Sequence, residues 1–271
     1  MRLIAPVLSS LALLLPLAAS AAVVSSADTG WQGTGELGFA LSRGNTRSES
    51  LNAKLAFSKE NAMWKDDFYI SALRNKGTVY VSTVVDGQTV SAQAYQSTAD
   101  RIESGASMGY KLSLRSYIVG ALRYERDQFA AYRWQAAASI GYGYIMIKDR
   151  YTELSFELGP GYKRVQPVDT LAYVGDPPVL VAQPQASQGQ MIVRGLMNFK
   201  HQLTDTASIQ DKFLTESGRD NTYYENNASF VVDISAKLAL KLSYQVRHNS
   251  TIALGSKHTD TLLTTNLVYD F

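Results

Sequence analysis

Leu263-Thr264-Thr265-Asn266-Leu267-Val268-Tyr269-Asp270-Phe271 alternates between two kinds of side chain. On an extended strand, successive side chains point to opposite faces. Leu263, Thr265, Leu267, Tyr269 and Phe271 therefore share one face, and Thr264, Asn266, Val268 and Asp270 share the other. The same period recurs upstream. Leu238, Leu240, Leu242, Tyr244 and Val246 oppose Lys237, Lys241, Gln245 and Arg247. Trp134, Ala136, Ala138, Ile140, Tyr142, Tyr144 and Met146 oppose Arg133, Gln135, Ser139 and Gly141, and Leu154, Phe156 and Leu158 oppose Glu153, Ser155 and Glu157. After residue 30 no apolar run reaches the roughly 18 residues of a transmembrane helix.

Turn signals divide the chain beyond residue 30 into about twelve strands. They are expected at 31–42, 47–59, 63–75, 92–112, 116–127, 132–147, 151–165, 189–203, 206–217, 222–233, 237–249 and 259–271. Many run about 11–15 residues, against five or six in soluble sheets and about 9–11 for a tilted strand crossing a bilayer. Connections segregate by parity. Those at 60–62, 113–115, 148–150, 204–205 and 234–236 are short, whereas 76–91, 166–188 and 250–258 are longer and fall on the alternate connections. An up-and-down membrane barrel places tight turns at its periplasmic end and long loops at the other. A sandwich with Greek-key crossovers has no reason to do so. The expected fold is all-β, a transmembrane antiparallel up-and-down barrel of about twelve strands.

The N-terminal segment reads as an export signal. Arg2 supplies a basic start, Leu3–Leu17 an apolar stretch, and Ala19-Ser20-Ala21 a cleavage pattern. The expected organisation is a signal peptide over 1–21, a short periplasmic segment over 22–30 and the barrel over 31–271. This implies export through the periplasm to the outer membrane of a Gram-negative bacterium. Leu267, Tyr269 and Phe271 form the expected signal for the outer-membrane insertion machinery. Trp31, Trp64, Tyr110, Tyr151, Tyr269 and Phe271 suit a periplasmic interfacial girdle, and Tyr95, Tyr132, Trp134, Tyr223 and Tyr224 an outer one.

Composition removes several function classes. With 26 basic and 24 acidic residues, the formal charge of +2 leaves no electrostatic footprint for nucleic acid. There is no cysteine, which excludes disulfides and thiolate chemistry. The three histidines, His201, His248 and His258, show no metal-ligand spacing. His248-Asn249-Ser250 has the residue types of a nucleophilic triad, but neighbours on a strand face opposite ways. No enzymatic activity, metal or cofactor is expected. Expected partners are outer-membrane lipid, lipopolysaccharide and the insertion machinery, for a monomeric chain.

Strand phase turns charges of both signs inward: Glu36, Arg101, Glu103, Arg123, Glu125, Arg133, Glu157, Lys163, Arg194, Lys212, Lys241 and Arg247, with Glu153, Glu216, Glu225, Asp233 and Lys237. Charges inside a membrane protein face water or one another. The lumen therefore reads either as a narrow, porin-like channel for small polar solutes or ions, or as a self-plugged interior of a structural protein with surface loops for partners. Locally, Gly44-Asn45 suits a tight turn, and Pro160, lacking an N–H, suggests a bulge near Gly159–Gly161.

Several blocks together resemble a known bacterial family. They are Trp31-x-Gly33 with Glu36-Leu37-Gly38-Phe39, Gly44-Asn45-Thr46, Leu51-Asn52-Ala53-Lys54 and Tyr124-Glu125-Arg126-Asp127-x-Phe129. Gly141-Tyr142-Gly143-Tyr144, Glu157-Leu158-Gly159-Pro160-Gly161-Tyr162, Asp220-Asn221-Thr222-Tyr223 and Asn266–Phe271 continue the pattern. The chain resembles the family of unknown function numbered 481, often labelled salt-induced outer membrane protein. The resemblance implies an outer-membrane barrel with no established biochemical activity, and it brings no catalytic or binding residues; a link to envelope stress is a separate expectation. The Pro-rich stretch Val165–Gln188 departs from the pattern and reads as an extended outer loop.

Overall fold

The computed structural model describes residues 30–42, 47–85, 88–174, 179–252 and 257–271. The expected signal peptide and the Gly44-Asn45 turn lie outside the described residues. The described residues form fourteen strands: β1 (Trp31–Ser42), β2 (Ser48–Glu60), β3 (Trp64–Val85), β4 (Gln88–Lys111), β5 (Ser116–Asp127), β6 (Tyr132–Lys148), β7 (Thr152–Pro167), β8 (Thr170–Val174), β9 (Val179–Gln183), β10 (Gln188–Thr204), β11 (Ala207–Gly218), β12 (Thr222–Asp233), β13 (Leu238–Asn249) and β14 (Thr259–Asp270). Twelve close an antiparallel barrel in chain order, and β8 pairs with β9 as a separate hairpin. Among the described residues, no helix is long and apolar enough to cross a membrane.

Alternation sets which face of each strand turns inward. On β5, Tyr117, Val119, Ala121, Arg123 and Glu125 are buried while Ile118, Leu122 and Tyr124 are exposed. The exterior carries exposed Leu122, Ile140, Leu158, Met191 and Leu263. The short connections 61–63, 112–115, 149–151, 205–206 and 234–237 all lie at one rim. Asn61 and Asp149 each lock one of them with a side chain that mimics a backbone turn, and Ser113 does so in 112–115. Asn61 Oδ1 accepts from the N–H of Met63 at 2.9 Å and Trp64 at 2.7 Å. Asp149 Oδ1 accepts from the N–H of Tyr151 and Thr152, both at 2.8 Å, and these bonds hold the Asp149 carboxyl below the usual carboxylate range. Aromatic pairs ring the same end: Trp31 with Phe68, Trp64 with Tyr110, and Phe57 with Phe271.

Three expectations need correction. The segment 76–91 is not a loop, since β3 and β4 continue through it and pair from Lys76↔Ser97 to Val85↔Gln88. β2 pairs with β3 only as far as Gly77, so this ribbon projects past the rim. Thr78, Val79, Val81, Thr83, Val84 and Val85 explain it, because β-branched residues favour strands and nothing interrupts them. Second, the stretch 165–188 is not wholly irregular, because it holds the β8–β9 hairpin.

Third, the register does not shift at Pro160, although the β6–β7 ladder skips Ile140 and Gly141 opposite Pro160 and Gly159. The register with β10 runs unbroken through Val193↔Pro160, and the irregularities between β6 and β7 fall at Tyr132/Trp134 and Ile145/Ile147. Pro160 is tolerated because its neighbours lack side chains. A Cβ on Gly159 would lie 2.1 Å from the Ile140 carbonyl oxygen and 2.4 Å from Gly141 Cα. The two glycines let the backbones approach closely where the ladder lacks a donor.

Candidate functional site: the barrel lumen

Ion pairs identify the interior, because many join strands that are not neighbours in the ring. On β5, Arg123 donates to both oxygens of Glu216 on β11, through Nε at 2.9 Å and Nη2 at 2.7 Å. Its Nη1 reaches Glu125 at 2.8 Å. Lys163 on β7 donates to the same Glu216 at 2.9 Å. On β13, Arg247 donates to Glu225 at 2.9 Å, Glu125 at 3.0 Å and Glu103 at 2.5 Å. β13 and β5 lie on opposite sides of the ring, and β4, which carries Glu103, adjoins β5. These side chains therefore cross the lumen from wall to wall.

Tyr223 sits under this cluster. It is 1% exposed, and Arg123, Lys163 and Arg247 approach its ring at 4.9, 5.2 and 5.8 Å from the centroid. Its hydroxyl donates to Glu225. Three cations thus face Glu103, Glu125, Glu216 and Glu225 over one aromatic ring. Buried charges persist only when paired and hydrogen-bonded, and every member here is.

On the tight-turn side of the cluster the lumen holds polar-lined cavities. Glu36 accepts from Lys241 at 2.9 Å and Asn266 at 3.2 Å, with Lys54 at 3.7 Å. Glu157 accepts from Tyr117 and Arg194, both at 3.0 Å. Beside the cluster, Arg101 on β4 donates to Gln245 on β13 at 3.0 Å. Lys212 stands 5.2 Å from the Tyr69 ring and has no ion pair among the described residues. These groups line cavities of about 540 Å³, which reaches up to Arg101 and Glu103, and about 320 Å³. A third, of about 720 Å³, continues to the tight-turn rim at Asp233, Lys237 and Asp270.

The structure thus places Glu36, Arg101, Glu103, Arg123, Glu125, Glu157, Lys163, Arg194, Lys212, Lys241 and Arg247 on the lumenal side. Arg133 stands apart. It is exposed at the loop rim and pairs with Asp169 at 2.5 Å. The irregular pairing at Tyr132/Trp134 takes it out of the regular ladder. Tyr223 corrects the outer girdle, because it belongs to the lumen. Its parity with Glu225 was the available signal, overridden by its place near a strand end. Tyr69, which donates to Glu103 at 2.7 Å, and Tyr117 also belong to the lumen, and as uncharged side chains they carry no sign in the sequence that marks them as such.

His248, Asn249 and Ser250 do not converge. His248 Nδ1 contacts Thr259 Oγ1 at 2.9 Å, and Ser250 Oγ donates to Asn221 Oδ1 at 3.1 Å. Asn249 accepts from the Asn221 amide at 3.0 Å. Together they pin the loop rim.

A family described as "Protein of unknown function, DUF481" matches residues 35–271. The uncharacterized protein YdiY of Escherichia coli K12 is 22% identical over 246 residues, covering 90% of this chain and 85% of the relative. Among solved structures, the translocator domain of the autotransporter NalP from Neisseria meningitidis superposes with a TM-score of 0.49 at 13% identity, covering 90% of this chain and 88% of that one. An outer membrane channel from Pseudomonas putida F1 gives 0.45 at 10% identity, covering 95% and 100%.

Proposed function

This chain belongs to the family of unknown function DUF481, and on that premise we propose that it is an outer-membrane barrel serving as a narrow, charge-lined passage for small polar solutes or ions, closed at rest by the Arg247 cluster. One observation carries this reading: polar cavities run from the tight-turn rim up to the level at which Arg247 and Glu125 join opposite walls of the lumen. Twelve strands fall between the eight that side chains fill and the sixteen that leave an open channel. The apolar exterior and the aromatic ring support a bilayer location. In this orientation the tight turns face the periplasm, and the β3–β4 ribbon and β8–β9 hairpin face outward. Leu267, Tyr269 and Phe271, all exposed, are the proposed contact for the insertion machinery.

The test is conductance of the folded protein in a planar bilayer. Small or infrequent steps are expected from the native chain, and larger or more frequent ones after Arg247→Ala with Glu125→Ala. If both proteins fold and stay silent, the passage is refuted. Complete pairing of the cluster favours the second reading, a self-plugged structural barrel, and that silence would support it.

A further inference from the structure

We propose that the barrel wall is split between β1 and β14 on the loop side, and that the split admits the apolar tail of a membrane amphiphile whose polar head enters the lumenal cavity. This stands on strand register and does not depend on conductance. Within the barrel, the other neighbouring strands pair along nearly their whole shared length; β1 with β2, for example, runs from Trp31↔Lys59 to Ser42↔Ser48. β1 and β14 pair only from Gly33, joined to Phe271 by two backbone bonds, to Leu37↔Leu267. Beyond that point β1 stays bonded to β2 through Ser42, and β14 stays bonded to β13 up to Thr259. Among the described residues the facing edges continue without pairing each other.

Gly38 marks where they part. A Cβ there would lie 2.3 Å from Asn266 Oδ1 and 2.8 Å from the Thr265 carbonyl oxygen, so the strands still touch at this residue. Above it, the two sides of the split differ in chemistry. Outside, Phe39 and Leu263 are 68% and 65% exposed, with Leu41 also exposed. Inside, Leu262, Thr264 and Asn266 line the cavity of about 540 Å³ together with Asn52.

Open strand edges are disfavoured in hydrocarbon, where nothing else satisfies backbone N–H and C=O groups, and are tolerated where they border a water-filled cavity. The lumenal side of this split borders the polar-lined cavity, and its outer side is apolar. An acyl chain against Phe39, Leu41 and Leu263 with its head toward Asn52 and Thr264 satisfies both. The Arg247–Glu125 bridge spans the lumen at the level of the cluster, which leaves the side as the less obstructed way out of the cavity on this half of the barrel.

The chain has no cysteine, so engineered pairs report cleanly. Leu37→Cys with Leu267→Cys sits in the paired part of the seam. Leu41→Cys with Leu263→Cys would face each other if that register continued. In phosphatidylcholine vesicles under mild oxidation, the first pair is expected to form a disulfide at least tenfold faster than the second. Separately, a fluorophore on Thr264→Cys should be quenched by lipids carrying a nitroxide on the acyl chain severalfold more than one on Asn198→Cys, which lines the same cavity from β10. Equal disulfide rates would show a closed seam. Equal quenching at both sites would show that no tail enters. Either result overturns the proposal.

Discussion

Arg247 on β13 donates to Glu125 on β5 across 3.0 Å although the two strands face each other from opposite sides of a twelve-strand ring. Two side chains therefore span the lumen, and the interior at this level is filled by charge pairs.

Arg247→Met should destabilise the barrel. It leaves Glu103, Glu125 and Glu225 without their shared cation, and breaking a buried ion pair from one side costs about 3–5 kcal/mol. Water entering the lumen places the expected loss at the lower end. The double variant with Glu125→Leu should lose less than the sum of the two single changes, since removing both partners leaves fewer uncompensated charges. Urea unfolding midpoints in vesicles measure both.

Tyr223 separates the ring from its hydroxyl. Tyr223→Phe keeps the face that three cations approach and loses one hydrogen bond to a carboxylate, worth about 1.5–3 kcal/mol. Tyr223→Ala also removes a fully buried aromatic, for a total of roughly 3–5 kcal/mol. Near-equal midpoints for the two variants would contradict a structural role for the ring.

Glycine substitutions should divide by what their new Cβ meets. Gly120→Ala meets nothing within 4 Å and should be nearly neutral. Gly143→Ala would put its Cβ 2.2 Å from the buried Tyr117 ring, and Gly159→Ala 2.1 Å from a backbone oxygen. Each is expected to lose about 1–3 kcal/mol, with Gly159→Ala the worse because a backbone atom cannot rotate away. Heat-modifiable gel migration ranks the three.

Asp149 should confer a pH dependence from outside the membrane. Two backbone N–H donors hold its carboxyl below the usual range, so its contribution is present above the unfolded-state value of about 3.9 and fades as pH falls through the lower folded value. Asp149→Ala should therefore differ from the native chain at neutral pH and converge with it in acid. The unfolding midpoint from pH 7 down to pH 3 follows this.

How far the sequence could be read depends on the kind of signal. The bounds of β1, β5 and β12 agree with the alternation, and a turn ends β5 and β12 within a residue or two. The β3–β4 ribbon was missed because a polar, β-branched stretch such as Thr78–Val85 reads equally as loop or strand until a partner strand is in place. Tyr223 was misassigned because aromatic residues suit both an interface and a lumen. Its phase alone points inward, and only Arg123, Lys163 and Arg247 meeting over its ring show what it does there.

The sequence by itself determined that the chain is a barrel of about twelve strands, with apolar side chains outside and charges of both signs inside. Period-two alternation and the parity of connection lengths are local properties, and they leave no other closed arrangement. Only the tertiary structure decided which charges meet. Glu125 and Arg247 are 122 residues apart, and their pairing depends on how strands stagger around the ring. That stagger also ends the β1–β14 ladder at Leu37, while the alternation of both strands continues past the point where they part.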